Sequence, residues 1–303
     1  MGTSGKNPGS RRGLVPTWVD SPTPGAPPAT SVAPAQPPRP GTPGNPSSPS
    51  PQTPSPAGPA SQPTSPRPAL PPATAGGSLS SARGDFTRGV SSGGGGGGGG
   101  RGIRRGSGKF VRALGGARAA TRAMGPSVRT ATGLGALASD FAQQGAAEAL
   151  RPFNLERLAG APAVDVFVAL TNVLCQDGGT IDEAIARDAM IQTIADISSQ
   201  IDVPFEALPA PVLEAVFLGT ISRSIETKIF SELGTNALRF PTDAAAVRRI
   251  ETTLHDFVQG SVRDAFTTQG QSVAALPPAD IDRFVTSIYQ RTFELLQSFE
   301  DEE

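Results

Sequence analysis

Toward the end of the chain, apolar residues recur at intervals of three and four. Ile281, Phe284, Val285, Ile288, Thr292, Leu295, Leu296 and Phe299 fall on one arc, opposite Arg283, Gln290 and Glu294, which predicts an amphipathic helix after Pro277 and Pro278. A second such stripe predicts a helix from about Asp243 to Thr268. It turns Val247, Ile250, Leu254, Phe257, Val258, Val262 and Ala265 inward, and Thr242 or Asp243 is placed to cap it after Pro241. Thr180-Ile181-Asp182-Glu183 reads as a capping box after a Gly178-Gly179 turn, opening a third helix. That helix is apolar on two sides, with Ile181, Ala184, Ile185 and Ile191 set against Met190, Ile194 and Ile197. Two apolar sides imply either a central position in a bundle or a protein interface. The segment from about Pro209 to Leu233 behaves alike, with Val212, Val216 and Phe230 set against Leu218, Ile221, Ile225 and Ile229. Shorter helices are expected at 133–150 and 162–175, and the Arg-rich stretch 109–124 can form another. No alternating strand pattern competes, and no repeat of solenoid length is found. The predicted fold class is all-α, an irregular helical bundle of six or seven helices.

Before residue 109 the periodicity disappears. Residues 21–75 are dominated by Pro, Ser, Ala, Gly and Thr, and Gly93–Gly100 is an unbroken glycine run that reads as a flexible hinge. Such a segment holds too few apolar groups to offset the entropy of ordering it. The division expected is a disordered arm over 1–108 and a helical domain over 109–303. An arm of that length would reach roughly 50–60 Å from its anchor. Two small islands interrupt the low complexity. Leu14, Val15, Trp18 and Val19 lie within Leu14–Asp20, and Trp18 is the chain's single tryptophan. An aromatic among aliphatics is a docking motif for a partner, or else it packs on the chain's own domain. Asp85-Phe86-Thr87-Arg88 is too short to interpret.

Charge separates the same two halves. Residues 1–130 carry 15 Lys/Arg against 2 Asp/Glu, and residues 131–303 carry 11 against 25. The net charges of +13 and −14 suggest an arm with its own partner, or one balanced by its own body. Within the basic stretch, Arg101, Arg104 and Arg105 are the residues placed for contact with nucleic acid. The competing reading, a solvated linker facing the acidic domain, is favoured because Phe110 is the only aromatic nearby to offer a stacking platform.

Candidate chemistry in the body is sparse. One cysteine, Cys175, and one histidine, His255, exclude a disulfide framework and leave too few soft ligands for a zinc site. His255 is expected to be a hydrogen-bonded structural residue and Cys175 a small buried hydrophobe. The run from Gly102 to Phe110 is not a P-loop, since Ile103 and Phe110 occupy positions that need Gly and Ser or Thr. Asp177-Gly178-Gly179-Thr180 lacks the alternating carboxylates of a calcium loop. No apolar run is long enough to cross a bilayer. The expectation is a soluble cytoplasmic protein that is not an enzyme and has no cofactor or metal. At the other end, Gly2 becomes the terminal residue once Met1 is removed, and its α-amine, with a pKa near about 8, is partly neutral and nucleophilic at pH 7. Lys6 stands where myristoylation prefers Ser or Thr. Gly2 is therefore an accessible modifiable amine.

Met1-Gly2-Thr3-Ser4, the Leu14–Asp20 island, the glycine tract, the run Asp177–Asp188 and the closing helix together resemble the QatB family of the four-gene Qat (QatABCD) anti-phage defence system. The resemblance implies a non-catalytic defence subunit acting with an ATPase (QatA), a QueC-like enzyme (QatC) and a TatD-like nuclease (QatD). It also implies that Gly2 is the acceptor of a 7-deazaguanine group from the QueC-like partner, with Thr3 and Ser4 recognised in that enzyme's channel and the helical body docked on the ATPase. Two other classes remain: a nucleic-acid-binding adaptor using 101–129, and a purely structural scaffold.

Overall fold

A computed structural model describes residues 79–92, 97–175, 179–234 and 244–301. The described residues form ten α-helices: α1 Leu79–Ser91, α2 Gly97–Ala113, α3 Ala117–Ala123, α4 Gly125–Gln144, α5 Ala146–Leu150, α6 Ala163–Leu174, α7 Ile181–Ser198, α8 Ala210–Gly234, α9 Ala244–Thr268 and α10 Pro278–Ser298. Short 3-10 turns join them, and no strand occurs among these residues beyond one isolated bridge between Pro162 and Pro204. The all-α class is as expected; the helix number is higher, for two physical reasons.

The first reason is glycine with positive φ. The stretch expected as one helix over 133–150 begins earlier, at Gly125 with Pro126 in its first turn, and breaks at Gly145, whose φ is 85°. The stretch 109–124 breaks at Gly115 and Gly116, with φ of 95° and 88°, separating α2 from α3. Such φ values are open to glycine at little cost and strain other residues.

The second reason lies upstream of 109. Among the described residues, helical packing already includes Leu79, inside the segment expected to be arm. α1 and α2 pair as a hairpin and bury Ala82, Phe86, Val90, Ile103, Phe110 and Val111. Gly97–Gly100, expected to be part of a hinge, forms the first turn of α2. Glycine here serves close approach rather than freedom. A Cβ at Gly102 would stand 2.7 Å from the Cα of Gly89, and one at Gly106 would stand 2.8 Å from the Cβ of Phe86. The ring of Phe86 then meets Phe230 of α8 edge-on, with centroids 5.9 Å apart.

α8 runs through the middle. It buries Leu213, Val216, Phe217, Ile221, Ile225, Ile229 and Leu233, together with Thr220, Ser222 and Ser224. These hydroxyls donate to the carbonyls of Val216, Leu218 and Ile221, so they enter the core already hydrogen-bonded. α4, α7 and α9 pack along α8, and α10 closes the bundle against α2, α3, α4 and α9. α9 and α10 bury the stripes the sequence predicts. Tyr289 and Phe293 extend the α10 stripe, and the Tyr289 hydroxyl lies 2.9 Å from Ser224 Oγ.

Candidate functional site

The residues singled out in the first twenty positions, Gly2, Thr3, Ser4, Leu14, Val15, Trp18 and Val19, lie outside the described residues, as do Asp177, Gly178, Pro241, Thr242 and Asp243. Arg101, Arg104 and Arg105 stand on α2, Arg101 exposed and the other two half-buried. Arg105 turns toward Asp85 on α1, with Nε 3.6 Å from the carboxylate. Lys109 Nζ meets the same carboxylate at 2.5 Å and Arg88 at 2.7 Å, while Arg112 pairs with Glu300 beyond α10. Part of the basic stretch is thus balanced inside the body. Asp85 is only 3% exposed. Burial pushes its carboxyl up, but the Lys109 hydrogen bond and the charges of Lys109, Arg88 and Arg105 outweigh this and hold it below the usual carboxylate range.

His255 donates a hydrogen bond from Nδ1 to Glu226 Oε2 at 3.0 Å, and Glu226 Oε2 also accepts from Arg223 at 3.1 Å. This is a structural network joining α8 and α9, as expected for the histidine. Cys175 is buried, 3.6 Å from the Thr130 hydroxyl. Burial pushes its thiol up, away from the thiolate form that nucleophilic chemistry needs. Among the described residues no group of three His, Cys, Asp or Glu side chains is placed to hold a metal ion, and no helix is long and apolar enough to cross a membrane.

The Thr180 capping box forms as predicted. The Thr180 hydroxyl accepts from Glu183 N at 3.2 Å, and the Glu183 carboxylate accepts from Thr180 N and Gly179 N at 3.1 and 3.0 Å. The cap fixes where α7 starts and so which residues face outward. Ile185, Ala186, Ala189, Met190, Thr193 and Ile194 are buried. On the other side Ile181 is 70% exposed and Ile191 50%. α6 lies beside this outer side and leaves Val168 and Val173 about half exposed. Between the helices runs a small groove of about 110 Å³, walled by Val168 and Ile191 and floored by Thr171 and Ile194. Arg187 closes its rim by donating from Nη2 to Asn172 Oδ1 at 2.6 Å. The sequence signals one half of this surface, the second apolar side of α7, although Ile185, read with that side, turns into the core. The contribution of Val168 follows only from where α6 docks.

A family model described as Qat anti-phage system associated protein QatB matches residues 115–296, more than half of the 303-residue chain. The chain belongs to the QatB family. Membership makes it a component of an anti-phage defence system, with the other Qat components as its implied partners. No curated protein and no solved structure matches the chain. The QatB match spans α3 to α10, and so includes the capping box, the groove between α6 and α7, and nearly all of α10. It leaves out the α1–α2 hairpin and the Met1–Ser4 and Leu14–Asp20 motifs.

Proposed function

We propose that this QatB-family protein acts as a non-catalytic substrate and docking subunit: its Gly2 amine is acylated by a QueC-like partner, and its helical body docks a partner ATPase. Membership of the defence family carries the reading, together with the small Met1-Gly2-Thr3-Ser4 terminus. Met1 removal exposes an amine on a residue without a side chain, which suits entry into a narrow channel. In the proposed step, ATP activates the carboxylate of a 7-deazaguanine as an acyl adenylate, releasing pyrophosphate. The neutral Gly2 amine attacks that carbonyl, a C–N bond forms, AMP leaves, and the amine gives up one proton. Thr3 and Ser4 supply backbone and hydroxyl groups for recognition behind the glycine, and Leu14, Val15, Trp18 and Val19 anchor the segment on the modifying partner.

The test is the mass of the amino-terminal peptide isolated from cells expressing the whole system. The expected result is an added deazaguanine acyl group on Gly2 that vanishes when the QueC-like enzyme is omitted. An unmodified terminus in the complete system overturns the reading, as does full phage protection by a Gly2→Ala protein. Deleting residues 1–20 separates this function from that of a scaffold, which keeps protecting without them.

A further inference from the structure

The outward side of α7 has a spacing that its burial alone does not require. Ile181, Ala184, Asp188, Ile191 and Ala195 follow one another at intervals of three, four, three and four residues, the a/d pattern of a helix that packs against a second helix. The inward arc of α7 is already committed to the core, so this stripe is a second seam. Four of the five large hydrophobic residues exposed among the described residues, Val168, Val173, Ile181 and Ile191, lie on α6 and α7. Val168 and Ile191 wall one groove and Ile181 continues the α7 stripe beyond it, an apolar strip that marks an interaction site rather than scattered exposure.

The charges along α7 identify the occupant. Asp182 and Asp196 are neutralised from α8, by Lys228 at 2.7 Å and by Arg223 at 2.7 Å. Asp188, in the middle of the stripe, accepts a hydrogen bond from Gln192 at 2.7 Å, and no cation among the described residues pairs with it. Arg187 is adjacent in sequence but is turned across to Asn172 and the Cys175 carbonyl. Covering the stripe with an apolar helix would bury the Asp188 charge unpaired, and desolvation without a partner charge opposes that association. A second copy of the chain repeats the difficulty. Parallel pairing sets two Asp188 side chains face to face, and antiparallel pairing seats each against the other copy's apolar residues.

We infer that the α7 stripe, walled on one side by Val168 of α6, is the docking seam for a single partner helix that is amphipathic and carries Lys or Arg at its centre, opposite Asp188. The seam rests on the docking half of the proposed function and is independent of the fate of Gly2.

Two synthetic three-heptad peptides test it on the full-length chain. They share leucine at the remaining a and d positions and differ only in a central lysine or glutamate. By fluorescence anisotropy the lysine peptide is expected to bind at least ~10-fold more tightly than the glutamate peptide, and Asp188→Lys is expected to reverse the order. Ile191→Asp, on a half-exposed side chain, is expected to weaken binding by ~10-fold or more with unchanged circular dichroism; Ile181→Asp gives a second variant. Equal binding of the two peptides, or undiminished binding by both variants, overturns the inference. So does concentration-dependent self-association that Ile191→Asp abolishes. In cells with the complete system, Ile191→Asp is expected to lose protection while the Gly2 peptide keeps its wild-type mass. Full protection by that variant overturns the seam alone, whereas an unmodified terminus in the wild-type protein overturns the acylation reading alone.

Discussion

Asp85 shows how one residue gains its meaning from partners far along the chain. One cation, Arg88, stands only three residues on, but the other two that hold it, Arg105 and Lys109, come from the next helix. Nothing local in Asp85-Phe86-Thr87-Arg88 announces that meeting, so the sequence leaves it uninterpreted. Removing the carboxylate strands cations against a largely buried partner, although Arg88 and Arg105 keep solvent contact. Asp85→Asn is therefore expected to cost about 1–3 kcal/mol in urea denaturation at pH 7. The pH dependence has a definite sign. A folded pKa below the unfolded value of about 3.9 gives stability that is present above that value and lost as pH falls through the folded pKa. The gap between wild type and variant should narrow below about pH 4 and stay constant above it. Thr180 is the opposite case. Its capping box joins residues only three apart, and both halves are readable directly. Thr180→Ala should cost about 1 kcal/mol, and Thr180→Ala with Glu183→Ala should cost less than the sum of the two. A strictly additive double-mutant cycle would show that the reciprocal bonds do not act together.

At the scale of elements, α9 and α10 were legible because each buries one face, and a single 3.6-residue stripe survives in the sequence. α8 was legible as apolar on two sides because it is surrounded. α2 was legible only in its last turn, within the Arg-rich stretch 109–124. Glycine is the poorest helix former after proline, and a run of it reads as a linker. What overrides propensity is the approach of α1, whose backbone at Gly89 and Phe86 occupies the space that side chains at 102 and 106 would need. This sets one glycine of the helix against two others. At Gly98 an added Cβ meets nothing within 4 Å. Gly98→Ala is expected to stabilise by about 0.5–1 kcal/mol through reduced unfolded-state freedom. Gly102→Ala and Gly106→Ala meet backbone atoms at 2.7 and 2.8 Å and are expected to destabilise by about 1–3 kcal/mol, the helix-propensity gain notwithstanding. Thermal melts of the three variants decide the point. Equal stabilisation by all three would mean that α1 and α2 are not closely packed.

For the whole molecule, the question is where the folded body begins. Composition puts the boundary near 108, because the last proline-rich and glycine-rich stretches end there. Packing puts it no later than Leu79, because Phe86 and Ile103 are fully buried and Phe86 reaches the central helix through Phe230. These two positions predict different outcomes for truncation. A chain beginning at residue 79 keeps every buried contact described for the hairpin and should melt cooperatively at the wild-type temperature, within the error of the measurement. A chain beginning at residue 109 loses Ala82, Phe86, Val90 and Ile103 from the core at one stroke. A single Phe-to-Ala change in a core costs about 3–5 kcal/mol, and the net stability of a domain is only about 5–15 kcal/mol. Loss of four buried side chains with their backbone should therefore leave a species that is still helical by circular dichroism but lacks a sharp transition and binds hydrophobic dyes. The QatB match does not decide between the boundaries, since it begins at residue 115, beyond both. If the chain from 109 melts as sharply and as high as the chain from 79, the hairpin is an accessory to the bundle, and the compositional boundary is the correct one.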